Sequence, residues 1–286
     1  METTIYKTLK NGYDQKDTIL HAENISVIYD GKTILKDISF DERDTIRPGR
    51  AQGQIISFVG RSGRGKSTLF KILTGLETPA TGRVLIPDYS QPVSNGKQPA
   101  KIVQEGDVGF VNQKYTLFRH KTVYQALTFA LRKTDLSKKE KEEKVMNYLR
   151  DWGLEKHRNA YPNELSGGQK QRTAILEQLL SSGYYIVLDE PFSGLDVGNI
   201  LNVKKAFQLI NESNELNTII FSTHDIDLAV ELADSIYVIG YASEEHQYGT
   251  ILKHYDLKEM GLAWCDGLGK EHLDLVGEIK EMMLRS

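Results

Sequence analysis

Gln54-Ile55-Ile56-Ser57-Phe58-Val59 runs directly into Gly60-Arg61-Ser62-Gly63-Arg64-Gly65-Lys66-Ser67, and Thr68 follows within an apolar-periodic stretch that ends at Leu73. A continuous apolar run of this length fits a strand buried on both faces. The spacing of Ser67–Leu73 predicts a helix, so the unit is strand, loop, helix. Gly60–Ser67 fits G-x-x-x-x-G-K-[ST] in the context that pattern requires. Its glycines let the backbone bend until several N–H groups face phosphate oxygens at the positive end of the following helix. Lys66 adds a point charge for the β- and γ-phosphates, and the Ser67 hydroxyl is sized to ligate Mg²⁺. Residues 60–68 are therefore candidates for cradling a nucleotide. A glycine-rich turn with an incidental lysine is the plainer alternative, and the flanking strand and helix disfavour it.

The 286 residues suit one or two domains with a sizeable core. A 40% apolar and 26% charged composition excludes disordered, collagenous and coiled-coil classes. The net charge of −3 gives no reason to expect nucleic acid as a partner. No apolar run approaches the roughly 18–20 residues of a membrane-spanning helix, and Met1–Lys10 lacks a signal-peptide core. A lone Cys265 cannot form an internal disulfide, which points to a reducing compartment. A membrane role would need a separate membrane-embedded partner.

Periodicity organises the remainder. Ile19–Tyr29 and Thr33–Phe40 are expected to be strands about an Asp30-Gly31 turn, and Asp41–Gly53, charged and broken by Pro48-Gly49, a loop. Residues 87–107 hold turn chemistry without a period, including Asn95-Gly96, and Val108–Asn112 is a short strand. Thr122–Trp152 is helical in pattern, with Ser137 and Glu140 a candidate capping box; residues 114–165 form a helical insert. Helices are expected at Gly168–Ser181, Asn199–Glu212 and Ile226–Ala233, and strands at Tyr184–Leu188, Thr218–Ser222 and Ile236–Ile239. The alternation predicts an α/β fold with a mostly parallel sheet. In residues 254–286, Leu275, Ile279, Met282 and Met283 fall at helical spacing, as in a helix packed on the core. Cys265 beside Trp264 is most simply a partly buried thiol.

Tyr184–Leu188 leads into Asp189-Glu190-Pro191. Carboxylates at the C-terminal end of a buried strand lie where doubly wound sheets place ligands. Asp189 is placed to hold Mg²⁺ or its waters, and Glu190 to polarise a water attacking the γ-phosphate. A helix cap and a solvated charge are the plainer roles for the two.

Leu165-Ser166-Gly167-Gly168-Gln169 lies 99 residues after Lys66. By itself it is a cap followed by a helix, with Ser166 accepting from first-turn N–H groups. The pentapeptide also resembles the signature of the ATP-binding cassette (ABC) ATPases, and over about residues 18–253 other motifs fall into the family's order. Gln113 resembles the Q-loop glutamine, Ser193-Gly194-Leu195-Asp196 the D-loop and His224 the switch histidine, while Tyr29 falls where the adenine-stacking aromatic sits. The resemblance implies a cassette (1–253) with an N-terminal antiparallel β portion, a mostly parallel core sheet and a helical subdomain (about 114–165), followed by a helical tail (254–286) packed on it. ATP and Mg²⁺ are the implied cofactors. Lys66, Gln113, Glu190 and His224 would be catalytic. Ser67, Gln113 and Asp189 would hold the metal. Residues 60–68 with Tyr29 would bind ATP, and Ser166, Gly167, Gly168, Gln169 and Asp196 would face the ATP of a second cassette in a head-to-tail pair.

The family likeness further implies an ATPase that powers a separate multi-span membrane subunit, with an importer-like layout of the nitrate, sulfonate and amino-acid type and a solute-binding protein as a further partner. The chain would then be cytoplasmic, peripheral on the inner face of the membrane. A non-transport ABC ATPase of DNA repair, chromosome organisation or translation is the alternative, disfavoured by one uninterrupted cassette and the lack of basic patches. Three departures stand out. Arg61 and Arg64 make the phosphate loop unusually basic and are expected to be solvated surface charges. The link Asp41–Gly53 is long, and Glu177 stands where relatives usually carry arginine.

Overall fold

Strands that are apolar on both faces need a cover on both. The computed structural model describes residues 7–9, 12–47, 49, 52–94, 96–243, 245–265 and 267–286. Its strands are β1 (Lys7–Thr8), β2 (Asp14–Tyr29), β3 (Lys32–Ile46), β4 (Gln54–Val59), β5 (Thr81–Pro87), β6 (Ala100–Ile102), β7 (Gly109–Val111), β8 (Tyr185–Leu188), β9 (Thr218–Thr223), β10 (Ser235–Ser243) and β11 (His246–Asp256). The helices are α1 (Lys66–Leu73), α2 (Val123–Ala130), α3 (Lys138–Asp151), α4 (Gly167–Ser181), α5 (Val197–Ser213), α6 (Ile226–Leu232), α7 (Leu257–Met260) and α8 (Lys270–Arg285). The strands join in one sheet in the order β6-β5-β2-β3-β11-β10-β4-β9-β8-β7, with β1 on β2. From β10 to β7 neighbours are parallel; β2, β3, β5 and β6 pair antiparallel. A single parallel register at Gly249↔Leu35 joins β11 to β3 and makes the two portions continuous.

The central strands divide their side chains between two cores with a period of two. Ile55, Val59, Ile186, Leu188, Ile219, Phe221, Ile236 and Val238 enter the core shared with α2–α6 and α8. Ile56, Phe58, Val187, Ile220, Tyr237 and Ile239 enter the one that α1 and the antiparallel strands close. Each such side chain contributes about 1.5–3 kcal/mol on burial, so this pattern holds the sheet in register.

Caps appear where the sequence places them. Ser137 and Glu140 form a reciprocal box at α3, with Ser137 N donating to Glu140 Oε2 at 2.7 Å. Ser166 and Gln169 do the same at α4, and Asp196 accepts from Asn199 N at 2.9 Å to open α5.

Three expectations fail. Asp41–Ile46 is not a loop: it extends β3 against β2, with Leu20↔Glu42 and Asp14↔Ile46 in register. Its charges are tolerated because one is neutralised inside the protein. Glu42 is buried and accepts from Tyr237 OH at 2.7 Å, and Lys258 Nζ lies 3.6 Å from its other oxygen. Burial alone would lower the Lys258 pKa, but Glu42, Asp256 and Asp234 carry it above the ordinary lysine value. Pro48, the expected breaker, lies outside the described residues. Second, β5 and β6 occupy stretches that carry no strand expectation; Asn95 of that region is also outside the described residues. Third, Thr122–Trp152 is two helices, since the 3-10 turn Leu131–Lys133 separates α2 from the Ser137 cap of α3.

The chain beyond β10 is more structured than a helical tail. β11 runs to Asp256, across the boundary placed at 253, and α8 lies on α6 with Leu275, Ile279 and Met283 buried. Cys265 is exposed rather than partly buried.

Glu177 in α4 is buried, and its Oε1 has no hydrogen-bond partner. Desolvation pushes its carboxyl up to about 7 from 4.5. A carboxyl whose folded pKa is raised favours the fold below its unfolded pKa, and that contribution is lost as pH climbs through the folded value. Glu177→Gln should therefore stabilise the protein at pH 8 by on the order of 2–3 kcal/mol and change little at pH 4. Urea titrations at the two pH values check this, and equal effects at both would refute the assignment.

Candidate functional site

Parallel pairing in register brings the C-terminal ends of four strands to one edge. Val59 of β4 pairs with Thr223 of β9, Leu188 of β8 with Phe221 of β9, and Val111 of β7 with Leu188. The residues that follow these strands, Gly60, Asp189, His224 and the Asn112-Gln113 pair, emerge together. An open cleft of about 340 Å³ lies there.

One wall is the phosphate loop. Gly63 and Gly65 have φ of 81° and 92°, the left-handed region that only glycine adopts readily. A Cβ on Gly60 would stand 2.3 Å from Ile239 O, so the loop can leave β4 only with glycine at that point. No side chain caps α1, whose N-cap is Gly65, and its first-turn N–H groups are those that helix geometry leaves for an anion. Lys66 is buried and donates to Gly60 O at 2.6 Å and Arg61 O at 3.2 Å, with Glu190 Oε1 at 3.5 Å. Burial lowers its pKa, against an upward pull from Glu190 and Asp189.

The opposite wall is organised by Ser222, fully buried at the end of β9. Its hydroxyl donates to Asp189 Oδ1 at 2.7 Å and accepts from Glu190 N at 2.9 Å. Glu190 holds φ of 50°, unusual for a residue with a side chain and costing on the order of 1–2 kcal/mol. That turn aims its carboxylate between Lys66 and His224, whose Nδ1 is 2.9 Å from Oε2. Gln113 Nε2 donates to Ser193 Oγ at 3.2 Å.

The cleft thus gathers Ser62, Gly63, Gly65, Lys66, Ser67, Thr68, Gln113, Asp189, Glu190 and His224, all named from the sequence, together with Ile34 and Ser193. Gly60 and Arg61 stand behind it as acceptors for Lys66. Tyr29 is exposed beside it, its hydroxyl donating to Glu77. Arg64 departs from expectation: its side chain is half-buried, and the guanidinium lies over the Tyr241 ring, 3.7 Å from the centroid. Ser166, Gly167, Gly168, Gln169 and Asp196 do not line this cleft. Ser166, Gly167 and Asp196 are exposed at the starts of α4 and α5, and Gly168 packs so closely on Asn199 that a Cβ would stand 2.3 Å from its Oδ1. Ser222 was quoted in the sequence without a role; the signal is a hydroxyl two residues before the histidine at a strand end.

The family model described as ABC transporter matches residues 46–193. The sulfate/thiosulfate import ATP-binding protein CysA of Thermosynechococcus vestitus is 34% identical over 235 residues, 82% of this chain and 65% of that protein. The spermidine/putrescine import ATP-binding protein PotA of Trichodesmium erythraeum is 34% identical over 81% of this chain and 56% of that protein. The chain spans 65% and 61% of the length of the first two curated relatives it matches. Among solved structures, cbiO1 from Clostridium perfringens, part of the ABC transporter complex cbiONQ, superposes with a TM-score of 0.68 at 27% identity, covering 94% of this chain and all of that one. These likenesses give no support to a non-transport member.

Ser222→Ala leaves the half-buried Asp189 oxygen and the Glu190 N–H without their shared partner. Stability should fall by about 1–3 kcal/mol, read from the urea midpoint; an unchanged midpoint would show that water replaces the hydroxyl at no cost.

Proposed function

The chain belongs to the ABC transporter family, and we propose that it is the ATP-binding subunit of such a transporter, binding Mg-ATP in this cleft and hydrolysing it to drive a separate membrane subunit. The observation that carries the reading is the convergence of Lys66, Gln113, Asp189, Glu190 and His224 on a glycine-rich loop at the C-terminal edge of parallel strands. The loop N–H groups and Lys66 hold the triphosphate. Glu190 takes a proton from the water that attacks the γ-phosphorus, while ADP leaves with the bridging oxygen. His224, held by the same carboxylate, contacts the γ-phosphate, and Tyr29 stacks on adenine.

The donor set fits Mg²⁺: Ser67, Gln113 and Asp189 offer hard oxygens along one cleft, and one Asp189 oxygen is already oriented by Ser222. A bound Mg²⁺ would neutralise charge on the β- and γ-phosphates. Among the described residues no group of three or more His, Cys, Asp or Glu could hold a metal by itself, in keeping with an ion shared with its substrate.

The distance of the signature from this cleft supports a head-to-tail pair in which Ser166–Gln169 and Asp196 of one copy complete the site of the other. No helix among the described residues is long and apolar enough to cross a membrane, which fits energy supply to a partner that does, from the cytoplasmic face, with a solute-binding protein beside it. Relatives named for sulfate and for polyamines are equally similar to this chain. The cargo is therefore chosen by the other subunits.

Lys66→Ala should abolish tight Mg-ATP binding in a fluorescent-nucleotide titration. Glu190→Gln should keep binding but lower turnover by about 10²–10⁴-fold. Unchanged affinity in the first, or normal turnover in the second, would sink the corresponding role. Capture of the tagged protein from detergent-solubilised membranes should bring a multi-span subunit in stoichiometric amount; its consistent absence would remove the transport reading and leave the hydrolysis untouched.

A further inference from the structure

Arg64 sits between Gly63 and Gly65 at the crown of the phosphate loop, yet its side chain leaves the cleft. The guanidinium lies over Tyr241 of β10, and Nη2 donates to the main-chain oxygen of Ser286, just past α8, at 3.0 Å. Nε is buried with no acceptor, so the cation meets the ring face with part of the guanidinium out of water, which strengthens such a contact. The backbone is gripped as well. A Cβ on Gly249 of β11 would stand 2.1 Å from Arg64 O, and one on Gly240 would stand 2.7 Å from Ser286 Cβ. Phosphate loop, sheet and the end of α8 are in close contact at one point.

Helix α8 bears on the site at a second point. Lys280 Nζ donates to Asp227 Oδ2 at 2.7 Å, and Asp227 lies in the first turn of α6, three residues after His224. Leu275, Ile279 and Met283 fix the helix to the core, and Glu278 accepts from Lys253 and from Tyr255 OH. Helix α8 therefore meets the phosphate loop at its end and the first turn of α6, which follows His224 in the chain.

We propose that Arg64 is a positioning residue that ties the phosphate loop both to Tyr241 of β10 and to the end of α8, so that nucleotide affinity depends on where α8 sits. The proposal rests on the reading that this cleft binds Mg-ATP. It assigns to Arg64 a role opposite to the phosphate contact its place in the loop suggests. By reciprocity, nucleotide must then steady the end of α8.

The test is a titration of the full chain with a fluorescent ATP analogue and Mg²⁺. It compares wild type, Arg64→Ala, Arg64→Lys, Tyr241→Leu and the Arg64→Ala/Tyr241→Leu double variant, with Lys66→Ala as the non-binding control. Expected are an affinity loss of about fivefold to tenfold in each single variant, no rescue by lysine, and a double variant no weaker than the weaker single. Amide exchange at residues 280–286 should slow on adding nucleotide in wild type and not in Arg64→Ala. Loss in Arg64→Ala with full affinity in Tyr241→Leu, or losses that multiply, would overturn the proposal in favour of direct phosphate contact. Lower melting temperatures with unchanged affinity would overturn it in favour of a packing role alone. Failure of the wild type to bind, or binding by Lys66→Ala, would instead remove the underlying reading of the cleft.

Discussion

Parallel pairing of β4 with β9 and of β9 with β8, held residue for residue from Gln54↔Thr218 to Val59↔Thr223, is the constraint from which the site follows. Because side chains alternate between two filled cores, a slip of one residue would turn Ile55, Ile219 and Ile186 into the wrong core and empty both. The same slip would shift Asp189 about 3.3 Å along the edge relative to Gly60, beyond hydrogen-bond reach of Ser222. Core packing and the alignment of the cleft are thus one requirement.

Several local costs are carried by that frame. Glu190 adopts a left-handed backbone, Lys66 is buried among carbonyls with Glu190 Oε1 3.5 Å away, and Glu177 is buried with an oxygen unpaired. The first two are at the cleft and set up its geometry. Glu177 lies in the helical layer, and nothing in the structure explains why a carboxyl stands there.

The phosphate loop and both carboxylates were legible because each has a strict neighbour pattern, an apolar strand before it and a turn or helix after it, whereas Gln113 and His224 carry no such signal and were named only through the family resemblance. The helix caps at Ser137 and Ser166 were legible because capping is local chemistry. Asp41–Ile46 was not, since its charges argue for solvent until Tyr237 and Lys258, distant in sequence, are seen to receive Glu42. Ser222 was missed because its one signal, a hydroxyl two residues before the histidine at a strand end, does not reveal the Asp189 and Glu190 groups that it joins. Arg64 was expected to be a solvated surface charge because nothing near it in the sequence announces its ring partner, which lies on β10. What fails is the long-range pairing of charges; what succeeds is periodicity and local turn chemistry.

The Glu42–Lys258 pair carries a consequence for the order in which the chain is made. Glu42 leaves the ribosome early with the β2–β3 ribbon, and the ammonium that neutralises it arrives only with α7. Until then, closing β3 onto the sheet would bury a carboxylate whose charge is met by the Tyr237 hydroxyl but by no lysine, at a cost in free energy. The amino-terminal ribbon is therefore expected to close onto the sheet late in synthesis, once Lys258 has emerged.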